Sequence, residues 1–126
     1  MSTTTIADEF VATTRMDVHE LVRRLNAALG PTLVAAVAGS KDPKAPIRWA
    51  KHDGGTPRPE FESRLRTAHR ALKLVADAED VHVARAWFIA ANPLLDETTP
   101  ITAIREGRHR EALRAAVALA SDQPNA

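Results

Sequence analysis

The spacing of apolar residues between glycine and proline breaks constrains the fold of this chain most. From Val18 onward, apolar side chains recur three and four positions apart, which is the period of an amphipathic helix. The runs are closed by helix-breaking pairs such as Gly30-Pro31 and Asn92-Pro93. We find no run of alternating β-branched and polar residues that would indicate a strand. The sequence therefore predicts an all-α fold.

Start and stop signals divide the first half of the chain into short helices. Asp17 and Glu20 have the spacing of a capping box, and the helix they open should end at Gly30. Pro31 can open the next helix, which should end at Gly39.

The next helix has a conflicting start signal. Asp42-Pro43 is a start signal, whereas Pro46 is tolerated only in a first turn, so we expect a late or irregular start. Within it, Ile47 and Trp49 are predicted to anchor the segment to the core.

Four further helices are predicted in the rest of the chain. After Pro59, a long helix is predicted to bury the residues Phe61, Leu65, Ala68, Leu72 and Val75. Asp77 to Asp80 should either break it or cap a new helix. The next helix should stop at Asn92-Pro93 with Ala84, Trp87, Phe88 and Ala91 on one side. Thr99-Pro100 should start a short helix that ends at Gly107, and the last helix should bury Ala112, Leu113, Ala116, Val117 and Ala120.

The chain length favours one compact domain or two helical subdomains that share a core. A chain of 126 residues is short for two independent domains. We divide it into an N-terminal arm (1–15), a helix-turn-helix-like region (16–79), a C-terminal helical region (80–121) and a tail (122–126). The arm and the tail lack helical periodicity.

The composition argues against catalysis and membrane insertion. The chain has no cysteine, which removes thiol nucleophiles and thiolate metal sites. We find no phosphate-binding glycine loop, no HExxH motif and no glycine elbow around a serine. We therefore expect no enzyme, no cofactor and no metal ligand among the five histidines. No apolar run approaches the ~18 to 20 residues of a membrane span, and no secretory signal is visible, so a cytoplasmic location is expected.

Positive charge is concentrated in the middle of the chain. Between Lys41 and Lys73 the sequence has nine cations and four anions, a net charge of +5, although the whole chain carries only +1. Such a segment favours contact with a polyanion, although solvated helix faces would show the same composition.

The basic segment coincides with the outline of a helix-turn-helix. Two short helices are joined by a glycine-containing turn, and the second helix holds Arg48 and Trp49. Lys44, Arg48 and Lys51 are spaced to share an outward face that a major groove can accept, and Arg58, Arg64 and Arg66 are candidates for phosphate contacts. The alternative is a helical bundle whose basic face contacts no partner.

The last third of the chain carries a family resemblance. Ala86 to Leu95, followed by Thr99-Pro100-Ile101, Gly107 and Leu113, resembles the toxin-binding domain of Xre/MbcA/ParS-type antitoxins. The stretch from Leu29 to Gly39, with Arg48-Trp49 and Pro57, resembles the Xre-like helix-turn-helix that precedes this domain. The resemblance covers roughly residues 18 to 120.

This resemblance implies a type II antitoxin. Such a protein would neutralise a RES-domain toxin, an NAD-degrading enzyme, by docking on it and blocking its active site. It would also dimerise and repress its own operon by binding operator DNA. The positions that match the toxin-binding signature are Trp87, Asn92, Leu95, Pro100 and Gly107.

Two other functions remain open at this point. One is a free-standing helix-turn-helix repressor that has no toxin. The other is a protein-interaction module whose helix-turn-helix has lost its DNA role.

Overall fold

The computed structural model describes residue 13 and residues 15–121 of the chain. The tail predicted at 122–126 lies outside the described residues, as do residues 1–12 and 14 of the predicted arm. The prediction of an all-α fold is confirmed for the described part, which has seven α-helices, one short 3₁₀ helix and no strand. The helices are α1 (Val18–Leu29), α2 (Pro31–Ala38), α3 (Ala45–Trp49), α4 (Pro59–Ala78), α5 (Val81–Ile89), a 3₁₀ helix (Pro93–Leu95), α6 (Pro100–Arg105) and α7 (His109–Ser121).

Local signals set the ends of α1 and α2 as predicted. Asp17 caps α1, because its carboxylate accepts a hydrogen bond from the Glu20 backbone N–H at 3.2 Å. Only half of the capping box forms, since the Glu20 carboxylate pairs with Arg23 and Arg24 instead of returning to Asp17. Gly30, with a φ of 86°, separates the two helices, whose axes are bent by 119°.

The third helix starts late, as the position of Pro46 predicted. It has five residues, and Pro46 lies in its first turn. Trp49 is buried with 6% exposure, which confirms it as an anchor. The expectation for Ile47 is wrong, because its side chain is 47% exposed. A helix of this length has one inward face, which Ala45 and Trp49 occupy four positions apart, and Ile47 points away from it.

Three side chains of α1 donate hydrogen bonds to backbone carbonyls of α3 and of the residue that follows it. The His19 Nδ1–H donates to the Trp49 carbonyl at 2.8 Å, and Arg23 donates to the Ala50 carbonyl at 2.6 Å. Asn26 donates to the Pro46 carbonyl at 3.0 Å. The Trp49 and Ala50 carbonyls at the C-terminal end of α3 therefore obtain donors from α1, whereas the Pro46 carbonyl also accepts from the Ala50 N–H at 3.2 Å.

The longest helix, α4, is the centre of the packing. It contacts α1, α2, α5, α6 and α7. Leu65, Ala68, Leu72 and Val75 of its predicted stripe are buried, and Phe61 at its start is partly buried. One hydrophobic cluster extends from Leu21 on α1 to Ala116 on α7, so both halves of the described chain contribute to the same core.

Two expectations for the C-terminal helices are corrected. The fifth helix ends at Ile89, so Ala91 lies beyond it and is exposed rather than on its buried side. On α7, Ala112 and Ala116 are buried as expected, but Leu113, Val117 and Ala120 are only partly buried. The inward strip of α7 includes Ala115, and these small side chains allow the helix to approach α4 closely.

Among the described residues, no single helix has both the length and the apolar character of a membrane span. Of the helix pairs in the described part of the chain, only α1 with α2 has the length and apolar character of a span, and the two helices are bent by 119°.

Candidate functional site

The three cations predicted to face a major groove are all exposed around α3. Lys44 precedes the helix, Arg48 lies within it, and Lys51 follows in the next turn. Arg48 donates to the Asp42 carboxylate at 2.7 Å, and this hydrogen bond holds the pKa of Asp42 below its ordinary value. Lys44 and Lys51 form no ion pair with any residue that the structure describes.

The other three predicted phosphate contacts differ in exposure. Arg58 has a side chain that is 76% exposed and lies 5.4 Å over the Phe61 ring. Arg64 donates to the Ala38 carbonyl at 2.8 Å, at the C-terminal end of α2. Arg66 is only 17% exposed and pairs with Glu62 at 3.0 Å.

Arg66 also fastens the start of the described chain to α4. It donates to the carbonyls of Thr13 at 2.7 Å and Met16 at 2.9 Å. Arg64 and Arg66 therefore stabilise the fold with the guanidinium groups that were predicted to contact phosphates, whereas Arg58 remains accessible.

The structure adds two cations to the basic surface. A hollow of about 520 Å³ beside Gly39 is lined by Lys41, Arg58 and Arg64, with Asp42 and Glu60 also present. The Arg105 side chain of α6 also approaches Gly39, at 3.6 Å from where a Cβ would lie. Lys41 belongs to the basic segment of the sequence, but Arg105 comes from a distant helix and no local signal places it here.

The helices α2 and α3 occupy the positions of the predicted helix-turn-helix, but their lengths and connection differ from that motif. Six residues, 39–44, connect them, whereas DNA-binding helix-turn-helix motifs typically have a turn of three or four. Five residues of α3 extend only about 7.5 Å along the axis. The exposed positions of α3 therefore span little more than one turn.

The five residues that match the toxin-binding signature are mainly structural. Trp87, Leu95 and Pro100 are buried. Gly107, with a φ of 83°, makes the turn between α6 and α7. Asn92 is partly buried and caps the 3₁₀ helix by accepting a hydrogen bond from the Leu94 N–H at 2.9 Å.

Asn92 also organises the loop that follows. Its carbonyl accepts hydrogen bonds from Leu95 and Glu97, and its N–H donates to the Thr98 carbonyl. Asp96 and Glu97 are held at positive φ, 56° and 64°, a conformation that costs energy for residues other than glycine. These hydrogen bonds hold the loop in a single backbone conformation.

Exposed apolar side chains flank this loop. Ile89 is 53% exposed and Leu94 is 63% exposed, the two highest values among the large hydrophobic residues that the structure describes. Leu94 lines a groove of about 490 Å³ between the 3₁₀ helix and α7, together with Trp87, Ala115 and Leu119. The buried Trp87 Nε1 has no hydrogen-bond partner among the described residues. We name this region, comprising Ile89, Leu94 and the groove, the 89–94 surface.

A second apolar area lies on the outer face of α7. Leu113 and Val117 line an open depression of about 650 Å³, between Arg110 and Arg114. These are the side chains that the sequence predicted to be buried, so their partial exposure leaves an apolar strip on the described surface.

Two histidines, His69 within α4 and His109 at the start of α7, have lowered pKa values. His69 is 3% exposed and shares a hydrogen bond of 2.9 Å with the Thr13 hydroxyl. Burial lowers the pKa of His69 to about 4, and neighbouring arginine and lysine charges act in the same direction. Burial also lowers the pKa of His109, whose Nδ1 is 2.7 Å from the Thr67 hydroxyl.

The histidine spacing in the sequence indicated no metal site, but folding brings three potential ligands together. Donor atoms of Asp17, His19 and His52 all lie within 4.8 Å of one another. His19 and His52 are 33 positions apart, so their approach depends on the packing of α1 against the turn after α3.

Comparison with known proteins gives no family assignment. No protein-family model, curated protein or solved structure shows a significant match to the chain.

Proposed function

We propose that this protein is a type II antitoxin that binds a RES-domain, NAD-degrading toxin through its C-terminal half. In this role it is a binding protein and not an enzyme, it acts in the cytoplasm, and the toxin is neutralised because its active site is blocked. The resemblance of residues 86–113 to an antitoxin domain motivates the proposal.

The observation that carries the proposal is the 89–94 surface. Ile89 and Leu94 expose large apolar side chains in the segment that carries the resemblance. Exposed apolar side chains next to a firmly held loop are typical of protein-binding sites. The signature residues Trp87, Asn92 and Leu95 then shape this surface, while Ile89 and Leu94 contact the toxin.

The indole N–H of Trp87 is a candidate hydrogen-bond donor to the toxin. Trp87 lines the groove, and its buried Nε1 lacks an acceptor among the described residues. A toxin side chain or carbonyl that enters the groove would supply one, and a buried donor that gains its partner stabilises a complex.

Co-expression with the product of the neighbouring gene, which the proposal expects to be a RES-domain protein, tests the proposal. Leu94→Asp should abolish co-purification and growth rescue, because a carboxylate would be desolvated in an apolar interface. Its free energy of unfolding should stay within about 0.5 kcal/mol of wild type, since the side chain is exposed.

Ile47→Asp is the matched control, because Ile47 is similarly exposed but lies on α3. We expect this variant to rescue growth like wild type. Normal rescue by Leu94→Asp, or equal loss in both variants, would contradict the assignment of the 89–94 surface to the toxin.

A second candidate activity is operator binding by a homodimer, which would repress the operon. It is favoured by the exposed cations Lys41, Lys44 and Lys51, which form no ion pair with the described residues. Promoter binding that weakens steeply with salt would support it, because each phosphate contact releases counterions.

Charge-removing variants test where DNA would bind. Lys44→Ala and Arg48→Ala should each lower operator affinity without changing toxin rescue. Arg114→Ala, on the exposed face of α7, is the control. If promoter binding does not depend on salt, or does not occur, α3 has no role in DNA binding. The protein would then be an interaction module only.

A further inference from the structure

A cluster of three potential metal ligands joins the beginning of α1 to the turn after α3. Asp17 precedes α1, His19 lies in its first turn, and His52 lies in the turn 50–54. Their donor atoms are within 4.8 Å of one another, and the two imidazole centroids are 4.9 Å apart. Tetrahedral zinc would need ligand atoms ~3.3 Å apart, a small closure for the exposed side chain of His52.

The hydrogen bond of His19 leaves one ring nitrogen available to bind a metal. A carbonyl can only accept, so His19 Nδ1 carries the proton that it donates to Trp49 at 2.8 Å. Nε2 of the neutral ring therefore keeps a free lone pair. A backbone carbonyl that fixes the ring in this way is the usual outer support of a metal-bound histidine.

The turn that presents His52 is also fixed in position. Gly54 donates its N–H to the Lys51 carbonyl at 3.0 Å. A Cβ at Gly54 would clash with the Arg48 carbonyl, so only glycine permits this close approach to α3. The backbone of His52 is therefore held near His19 by the same contacts that end α3.

We propose that Asp17, His19 and His52 bind a divalent transition-metal ion, of which zinc fits best. Two imidazole nitrogens and one carboxylate oxygen suit zinc, whereas magnesium and calcium favour oxygen ligands alone. Three protein ligands leave a fourth position for water or for a group from a partner. The bound ion links α1 to the turn that carries Lys51 and so stabilises the basic side of the molecule.

Isothermal titration of the tag-free protein with Zn²⁺ alone tests the proposal. Wild type should bind one ion, and His52→Ala should lose ~10-fold or more in affinity. Zn²⁺ should raise the unfolding temperature of wild type and have little effect on this variant. His82→Ala, which removes an exposed histidine of α5, is the control and should behave like wild type.

Two further measurements separate ligation from folding. Asp17→Asn keeps an oxygen for the helix cap but removes the carboxylate, so its stability without metal should be near wild type while its zinc affinity falls. Co²⁺ should give d–d absorption bands in wild type that disappear in His52→Ala. No zinc binding by wild type, or equal affinity in wild type and His52→Ala, would overturn the proposal.

Discussion

At the scale of single residues, His69 makes the fold sensitive to acid. Burial holds its pKa near 4, below the ordinary value of 6.5, and the charges of Arg24 and Lys73 add to the effect. The unfolded chain therefore binds a proton between these two values that the folded chain does not bind. The stabilising contribution is complete above pH 6.5 and is lost as the pH falls towards 4, by at most ~1.4 kcal/mol per pH unit.

Chemical denaturation at a series of pH values measures this slope. His69→Gln should be less stable than wild type at pH 7, because the Thr13 contact is altered, but its stability should fall less between pH 6.5 and 4. Some slope should remain, since burial also lowers the pKa of His109. Equal slopes in wild type and variant would show that His69 does not titrate in this range.

Two substitutions of Trp87 distinguish the contribution of its packing from that of its indole N–H. Its ring is 8% exposed and packs edge-on against Phe88 at 5.0 Å. Trp87→Ala should lower the free energy of unfolding by ~3 to 5 kcal/mol. Trp87→Phe should cost only about 1 kcal/mol, because Nε1 has no partner to lose among the described residues.

Denaturation and toxin binding should respond differently to these changes. If Nε1 donates to the toxin, Trp87→Phe will weaken the complex more than it weakens the fold. Unchanged toxin affinity in Trp87→Phe would remove the indole N–H from the proposed contact.

At the scale of elements, local signals were sufficient wherever a helix end is fixed by its own residues. Asp17, Gly30 and Gly39 act through backbone conformation and capping, which depend on a few neighbouring positions. The sequence therefore predicted the limits of α1 and α2 closely. The misplaced side chains Ile47 and Leu113 depend instead on how a helix is rotated against its neighbours, which periodicity alone does not fix.

The turn after α3 gives an element-scale prediction. Gly54→Ala places a Cβ against the Arg48 carbonyl and should destabilise the protein by about 1–3 kcal/mol. Gly55→Asn is the control, because this position has a φ of 91° but open space around it. Asparagine tolerates such a conformation, so the control should cost less than about 1 kcal/mol in denaturant unfolding.

Across the whole molecule, the candidate sites show why residue type alone does not predict which side chains are available to a partner. The basic segment predicted the exposed Lys44 and Arg58, but not that Arg66 turns inward to hold Thr13 and Met16. The resemblance directed attention to Trp87 and Leu95, which are buried, rather than to the exposed Ile89 and Leu94. The packing of the helices around α4 decides which side chains remain exposed. This packing cannot be read from residue types or their spacing.

The shared core predicts that both halves of the chain unfold together. A continuous hydrophobic cluster links Trp49 and Trp87 through α4, so loss of either half would expose the apolar faces of the other. Trp49→Phe and Trp87→Phe each leave one indole, which reports on one half. Within each variant, fluorescence and far-UV circular dichroism should give the same denaturation midpoint, and calorimetry of wild type should show one transition. Separate midpoints in either variant would show that residues 16–79 and 80–121 are independent folding units.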